Sequence, residues 1–136
     1  MITITEGMLS SGQPIAQGEV LIWSKRHAPA SVLNGMVNLK LSEMTMQDGQ
    51  IILGHSETGH HHVLEPVNKA VSISKAAIVL VDAANDSFVE LRLYEDCALV
   101  HLRQHDTHDS IVLPPGEYIR GIREEQTPEG WRRVAD

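Results

Sequence analysis

Short apolar runs, broken by turn residues, set the rhythm of the chain. In Phe88-Val89-Glu90-Leu91-Arg92-Leu93, Val89, Leu91 and Leu93 fall on one side and Glu90 and Arg92 on the other, which predicts a half-buried strand. Ala76-Ala77-Ile78-Val79-Leu80-Val81 has no polar alternation and predicts a strand covered on both faces. Further candidate strands are Glu19 to Trp23, Met36 to Leu41, Ile51 to Leu53, His60 to Leu64, Ala98 to Arg103, Ile111 to Leu113, Tyr118 to Arg123 and Trp131 to Val134. Between them stand Asn34-Gly35, Asp48-Gly49, Thr58-Gly59, Asn85-Asp86, Pro114-Pro115-Gly116 and Pro128-Glu129-Gly130, all turn formers. No segment sustains a 3.6-residue apolar period. The pattern predicts an all-β fold, a small barrel or sandwich whose sheet edges need protection or closure.

At 136 residues the chain has the length of one domain, spanning 1–136, since domains average roughly 100 to 200 residues. Aromatic residues make up only 4%, so the core is aliphatic, and the apolar content favours a homo-oligomer in which small domains gain core by pairing. A formal net charge of -7 argues against a nucleic-acid partner or an anionic membrane surface. Cys97 has no cysteine to pair with, which excludes an internal disulfide and a cysteine-based zinc finger and suits a reducing compartment. The start, MITITEGML, lacks the basic and long apolar regions of a signal peptide. The run Ala76 to Val81 falls far short of the roughly 20 residues that cross a bilayer. A cytoplasmic, soluble protein is the expectation.

The unusual chemistry is histidine. Of 8 histidines, all but His27 fall between His55 and His108. In Thr58-Gly59-His60-His61-His62-Val63 a strand puts His60 and His62 on one face, where two imidazoles can chelate one ion, and His61 on the other. His105-Asp106-Thr107-His108-Asp109 follows the candidate strand Ala98 to Arg103, and a turn there lets His105 and His108 converge. Asp106 and Asp109 are placed to receive imidazole N–H groups, and His101 alternates with Val100 and Leu102 as an outer partner. These spacings predict a site for one transition-metal ion (Zn, Ni, Fe or Cu) held by His60, His62, His105 and His108. Four histidines make a closed structural site; three and a water leave a reactive position. Glu57 and Glu65 flank the first cluster, with Glu57 the candidate general acid or base and Glu65 a fourth ligand or supporting group.

Gly54 through Glu65, read G-x5-H-x-H-x2-E, resembles the first motif of the cupin superfamily, which usually has three or four residues before the glutamate. The resemblance implies a double-stranded β-helix holding a metal through two histidines, a glutamate and a later histidine. The second cupin motif begins P-x-G, as in Pro114-Pro115-Gly116, but Glu117, Tyr118 and Ile119 follow where its histidine belongs. His105 or His108 would replace that ligand. The chain is also similar to a group of small proteins of phages, prophages and other mobile elements. The matching segments are Ser56 through His62, His105 through His108, Leu113 through Tyr118 and Thr127 through Asp136, and this likeness implies no activity.

Pro114-Pro115-Gly116 predicts a tight turn. Arg120, Arg123, Arg132 and Arg133 read as a solvated or salt-bridged strand face. Trp23, Trp131, Met36, Met44 and Met46 read as core or interface, and Cys97 as inert. Neither a glycine-rich phosphate loop nor a G-x-S-x-G elbow is present. Three roles follow: a metal-binding protein without turnover, a cupin-type oxygenase, isomerase or lyase acting on a small molecule, or a metal-free structural or interaction module of a mobile element.

Overall fold

The computed structural model describes residues 2–36, 38–42, 46–47, 49–54, 61–82, 85–101, 110–127 and 130–133. In chain order the strands are β1 (Ile2–Thr3), β2 (Ile15–Gln17), β3 (Val20–Ser24), β4 (Lys40–Ser42), β5 (Met46–Gln47), β6 (Gln50–Gly54) and β7 (His62–Pro66). They continue as β8 (Ala77–Asp82), β9 (Asn85–Leu93), β10 (Cys97–His101), β11 (Ile111–Leu113), β12 (Gly116–Ile122), β13 (Glu124–Thr127) and β14 (Gly130–Arg133). Three one-turn helices, α1 (Glu6–Leu9), α2 (Ala30–Leu33) and α3 (Ile73–Ala76), sit between strands.

Two six-stranded sheets form, one ordered β1-β11-β10-β7-β6-β5 and the other β2-β3-β12-β9-β8-β4, and β13 pairs β14 separately. The sheets do not close into a barrel, so of the two predicted architectures the sandwich is the one observed. Consecutive strands β6 and β7, β8 and β9, and β10 and β11 pair as antiparallel hairpins within one sheet. β1 runs parallel to β11.

Alternation along each strand sends one set of side chains into the space between the sheets. Ile51, Leu53, Leu64 and Leu99 from the first sheet meet Val20, Ile22, Val89 and Leu91 from the second in one continuous core. Burying each such side chain is worth about 1.5–3 kcal/mol. On the outer side of the second sheet, Trp23, Val32 and Ile119 form a smaller cluster with Met36 and Phe88, capped by α2. Gly121 is obligatory there, because a Cβ would sit 2.7 Å from Trp23 Cζ3 and 3.0 Å from Phe88 Cε1.

Several expectations need correction. Ile78, Leu80 and Val81 are only half-buried, so β8 is covered fully on one face alone; it lies next to the short edge strand β4. Asn85-Asp86 opens β9 instead of forming a turn, with Asn85 opposite Asp82. Cys97 lies inside β10, and burial pushes its thiol up to about 11, with Asp96 and Glu95 adding to the shift. No helix among the described residues is long and apolar enough to cross a membrane.

Candidate functional site

The interior of the sandwich is apolar along most of its length and polar at one end. Gln17, Glu19, His62, His101 and Arg120 lie there, each between 0% and 5% exposed. His62 and His101 are register partners on the adjacent strands β7 and β10 and share the inward phase of Leu64 and Leu99. Their rings stack in parallel, centroids 4.1 Å apart and planes within 2°.

Gln17 reaches this pair from the facing sheet. Its Nε2 donates to the Leu99 carbonyl at 3.0 Å, and its Oε1 lies 2.9 Å from His62 Nδ1. A backbone carbonyl only accepts, so the amide nitrogen must face Leu99 and the amide oxygen must face the histidine. His62 Nδ1 therefore carries the proton when the ring is neutral, and the lone pair lies on Nε2. Metal-binding histidines characteristically have this arrangement, with one ring nitrogen donating to an oxygen and the other basic.

A β-bulge shapes the neighbouring backbone. The register between β6 and β7 shifts between Ile52 and Gly54, leaving Leu53 as the extra residue and Gly54 opposite His62. Arg120 Nη1 donates to the Leu53 carbonyl at 3.3 Å, tying the bulge to the other sheet. Glu19 follows Gly18, whose φ of 56° allows the tight link from β2 to β3. The Glu19 carbonyl is held by Arg123 N–H at 2.7 Å. All five polar side chains of this end make further interactions.

The predicted site residues divide as follows. His62 points into the interior. His101, expected to be an outer partner, lies directly against it. Glu65 occupies the opposite phase of β7 and is engaged by Gln50 Nε2 at 2.7 Å and Lys69 Nζ at 2.9 Å, so it does not join His62. Burial alone would raise the Glu65 pKa, but Lys69 and Gln50 outweigh it and hold the carboxyl below its ordinary value. His61 precedes β7 and is half-buried. His55, Glu57, His60, His105, Asp106, His108 and Asp109 lie outside the described residues. Among the described residues no three histidine, cysteine, aspartate or glutamate side chains stand close enough to hold a metal ion.

Sequence reasoning missed Gln17 and Glu19, and it placed Arg120 on a solvated face. Arg120 is buried because it shares the inward phase of Tyr118 and Ile122, the alternation signal that could have found it. Arg123 is exposed, as expected, and the side chains of Arg132 and Arg133 lie outside those described.

The opposite end of the sandwich carries a cleft of about 640 Å³, lined by Ile4, Leu9, Lys25, Arg26, Glu117 and Tyr118 among others. Its cations are engaged: Lys25 with Glu90 at 2.9 Å and Glu117 at 3.3 Å, Arg26 with Glu6 at 2.8 Å. Tyr118 donates its hydroxyl to the Pro114 carbonyl at 2.7 Å.

Residues 16–122 match the family model described as "Domain of unknown function (DUF8820)", and the chain belongs to that family. The match includes every residue of the buried polar end. No curated protein and no solved structure matches the chain.

Proposed function

We propose that the protein binds one transition-metal ion at the polar end of the sandwich, with His62 as the ligand anchored in the fold. The observation that carries this reading is the register pair His62 and His101. Residues 55–60 join β6 to β7 immediately before this pair, and residues 102–109 leave β10 immediately after it. Both histidine-rich segments thus attach at one end of adjacent hairpins, beside an imidazole that Gln17 holds with Nε2 basic. His60, His105 and His108 supply the remaining ligands in this reading, and imidazole-rich donors suit Zn²⁺, Ni²⁺, Fe²⁺ or Cu²⁺.

The second reading is a cupin-type enzyme with an open metal position and Glu57 as acid or base. Histidines placed between two sheets favour it. The hairpins β6–β7, β8–β9 and β10–β11 each stay within one sheet, while the chain crosses between sheets from β7 to β8, from β9 to β10 and from β11 to β12.

Elemental analysis of untagged protein purified without chelator, beside a His62→Ala, His105→Ala double variant, tests the metal reading. Near-stoichiometric metal in the parent and none in the variant supports it. An empty parent that takes up no metal on reconstitution overturns it.

A further inference from the structure

We propose that the cleft at the opposite end of the sandwich binds a small carboxylate with an apolar body, and that Glu6 holds the ligand's place on Arg26 until one binds. This site is independent of the metal reading. Its volume of about 640 Å³ is that of a small-molecule site. The apolar lining comes from Ile4, Leu9, Pro114, Pro115 and Tyr118. Ile4, Leu9 and Tyr118 are buried, so the two prolines are its accessible part, and the Tyr118 hydroxyl holds their turn through the Pro114 carbonyl at 2.7 Å.

The charges at the cleft select an anion. Both oxygens of the buried Glu90 are taken, Oε1 by Lys25 at 2.9 Å and Oε2 by Arg92 at 2.6 Å, and Glu117 meets Lys25 at 3.3 Å. Lys25, Arg26, Arg92, Glu90 and Glu117 thus bring three positive charges and two negative ones, and Arg26 is the cation that pairs with neither carboxylate. All five lie within the family match at 16–122. The anion that balances Arg26 comes from outside it: Glu6, on α1, sits 2.8 Å from Arg26 Nη1, with His27 Nε2 3.5 Å from the same oxygen. Arg26 and Glu6 are 77% and 63% exposed, and exposed pairs contribute little to stability, so a free carboxylate can replace Glu6 with the charge balance kept. Glu6 engages one guanidinium nitrogen, whereas a free carboxylate can engage two in a fork-to-fork pair. Thr5, whose side chain does not cap α1, adds a hydroxyl donor to the lining. An amine would need an unbalanced carboxylate, and Glu6 and Glu117 are both paired.

The probe is octanoate, titrated into the ¹⁵N-labelled full chain and followed by amide chemical shifts, with octanol and octylammonium as controls. Octanoate is expected to saturate below about 10 mM and to move the amides of Ile4, Lys25, Arg26 and Tyr118. Arg26→Gln is expected to weaken it about tenfold. Glu6→Gln, which removes the competing carboxylate, is expected to tighten it about two- to fivefold. Arg26→Lys, which keeps the charge without the fork, is expected to bind more weakly than the parent and carries the test if Arg26→Gln does not fold. Shifts that fail to saturate, or that fall elsewhere on the molecule, overturn the site. Equal affinity for octanol or octylammonium overturns the carboxylate class, and Glu6→Gln binding no tighter than the parent overturns the exchange.

Discussion

Replacing Gln17 tests whether one amide both braces the polar end and sets the His62 tautomer. Gln17→Leu keeps the approximate volume and removes two hydrogen bonds, one to the Leu99 carbonyl and one to His62 Nδ1. His62 is fully buried, and a buried polar group deprived of a partner costs about 1–3 kcal/mol. At a urea m value of about 2 kcal/mol/M, that lowers the denaturation midpoint by roughly 0.5–1.5 M. Gln17→Glu separates the two roles. The carboxylate still accepts from His62 Nδ1–H, and more strongly, but it cannot donate to Leu99. Urea denaturation of the metal-free proteins, followed by fluorescence, gives the stabilities, and Zn²⁺ titration gives the effect on the ligand. On the proposed metal reading, Gln17→Leu is expected to lose about 10- to 100-fold in metal affinity, and Gln17→Glu to keep most of it. A Gln17→Leu midpoint equal to the parent's, or equal losses of metal affinity in the two variants, refutes the reasoning.

The remaining expectations concern the body of the fold. Gly121→Ala drives a methyl into two rigid aromatic rings and is expected to destabilise by about 1–3 kcal/mol, read as a lower melting temperature; an unchanged one would show that Trp23 and Phe88 shift freely. For Glu90, burial would raise the carboxyl pKa, but hydrogen bonds from Lys25 and Arg92 dominate and hold it below the ordinary 4.5. A depressed carboxyl stabilises the fold above its unfolded pKa, so this contribution is lost as pH falls below about 4.5 toward the lowered folded value. Glu90→Gln is expected to flatten that acid limb in melts across pH, and a limb of unaltered slope contradicts the assignment. Cys97, buried with its thiol pushed up to about 11, is expected to resist a disulfide reagent at pH 8 in the native protein and to react on unfolding; fast native labelling would refute that burial.

The strands that could be read from the sequence are those whose apolar positions repeat over several residues. Ile111 to Leu113 has the predicted limits, and β3, β6, β7, β10 and β12 depart from them by one or two residues, with Leu102 and Arg103 of the expected β10 lying outside the described residues. β1, β2 and the three one-turn helices were not legible, because two to four residues carry no period. Alternation put His62 on one face of its strand, and it set His101 opposite Val100 and Leu102 as an outer partner. Which strand lies beside β10 is a tertiary fact, so the stacking of His101 on His62 was hidden. Gln17 meets His62 only once the two sheets pack, and no local pattern marks a lone amide or acid, such as Gln17 or Glu19, as buried. Arg120 had such a mark, an arginine in phase with apolar neighbours, and general statistics for exposed arginine overrode it.

The position of β12 governs the order in which the molecule can assemble. This strand lies between β3 and β9, pairing Tyr118 with Ser24 on one side and with Leu91 on the other. β3 is made early in synthesis, yet its inner neighbour, Gly116–Ile122, emerges only near the end of the chain. Until then β2 and β3 form a hairpin without a sheet, and a two-stranded ribbon is marginal in water. Such distant pairing places folding in the millisecond-to-second range typical of β proteins with high contact order. During that interval Val20, Ile22 and Trp23 lack the β12 partners against which they are buried in the folded sheet.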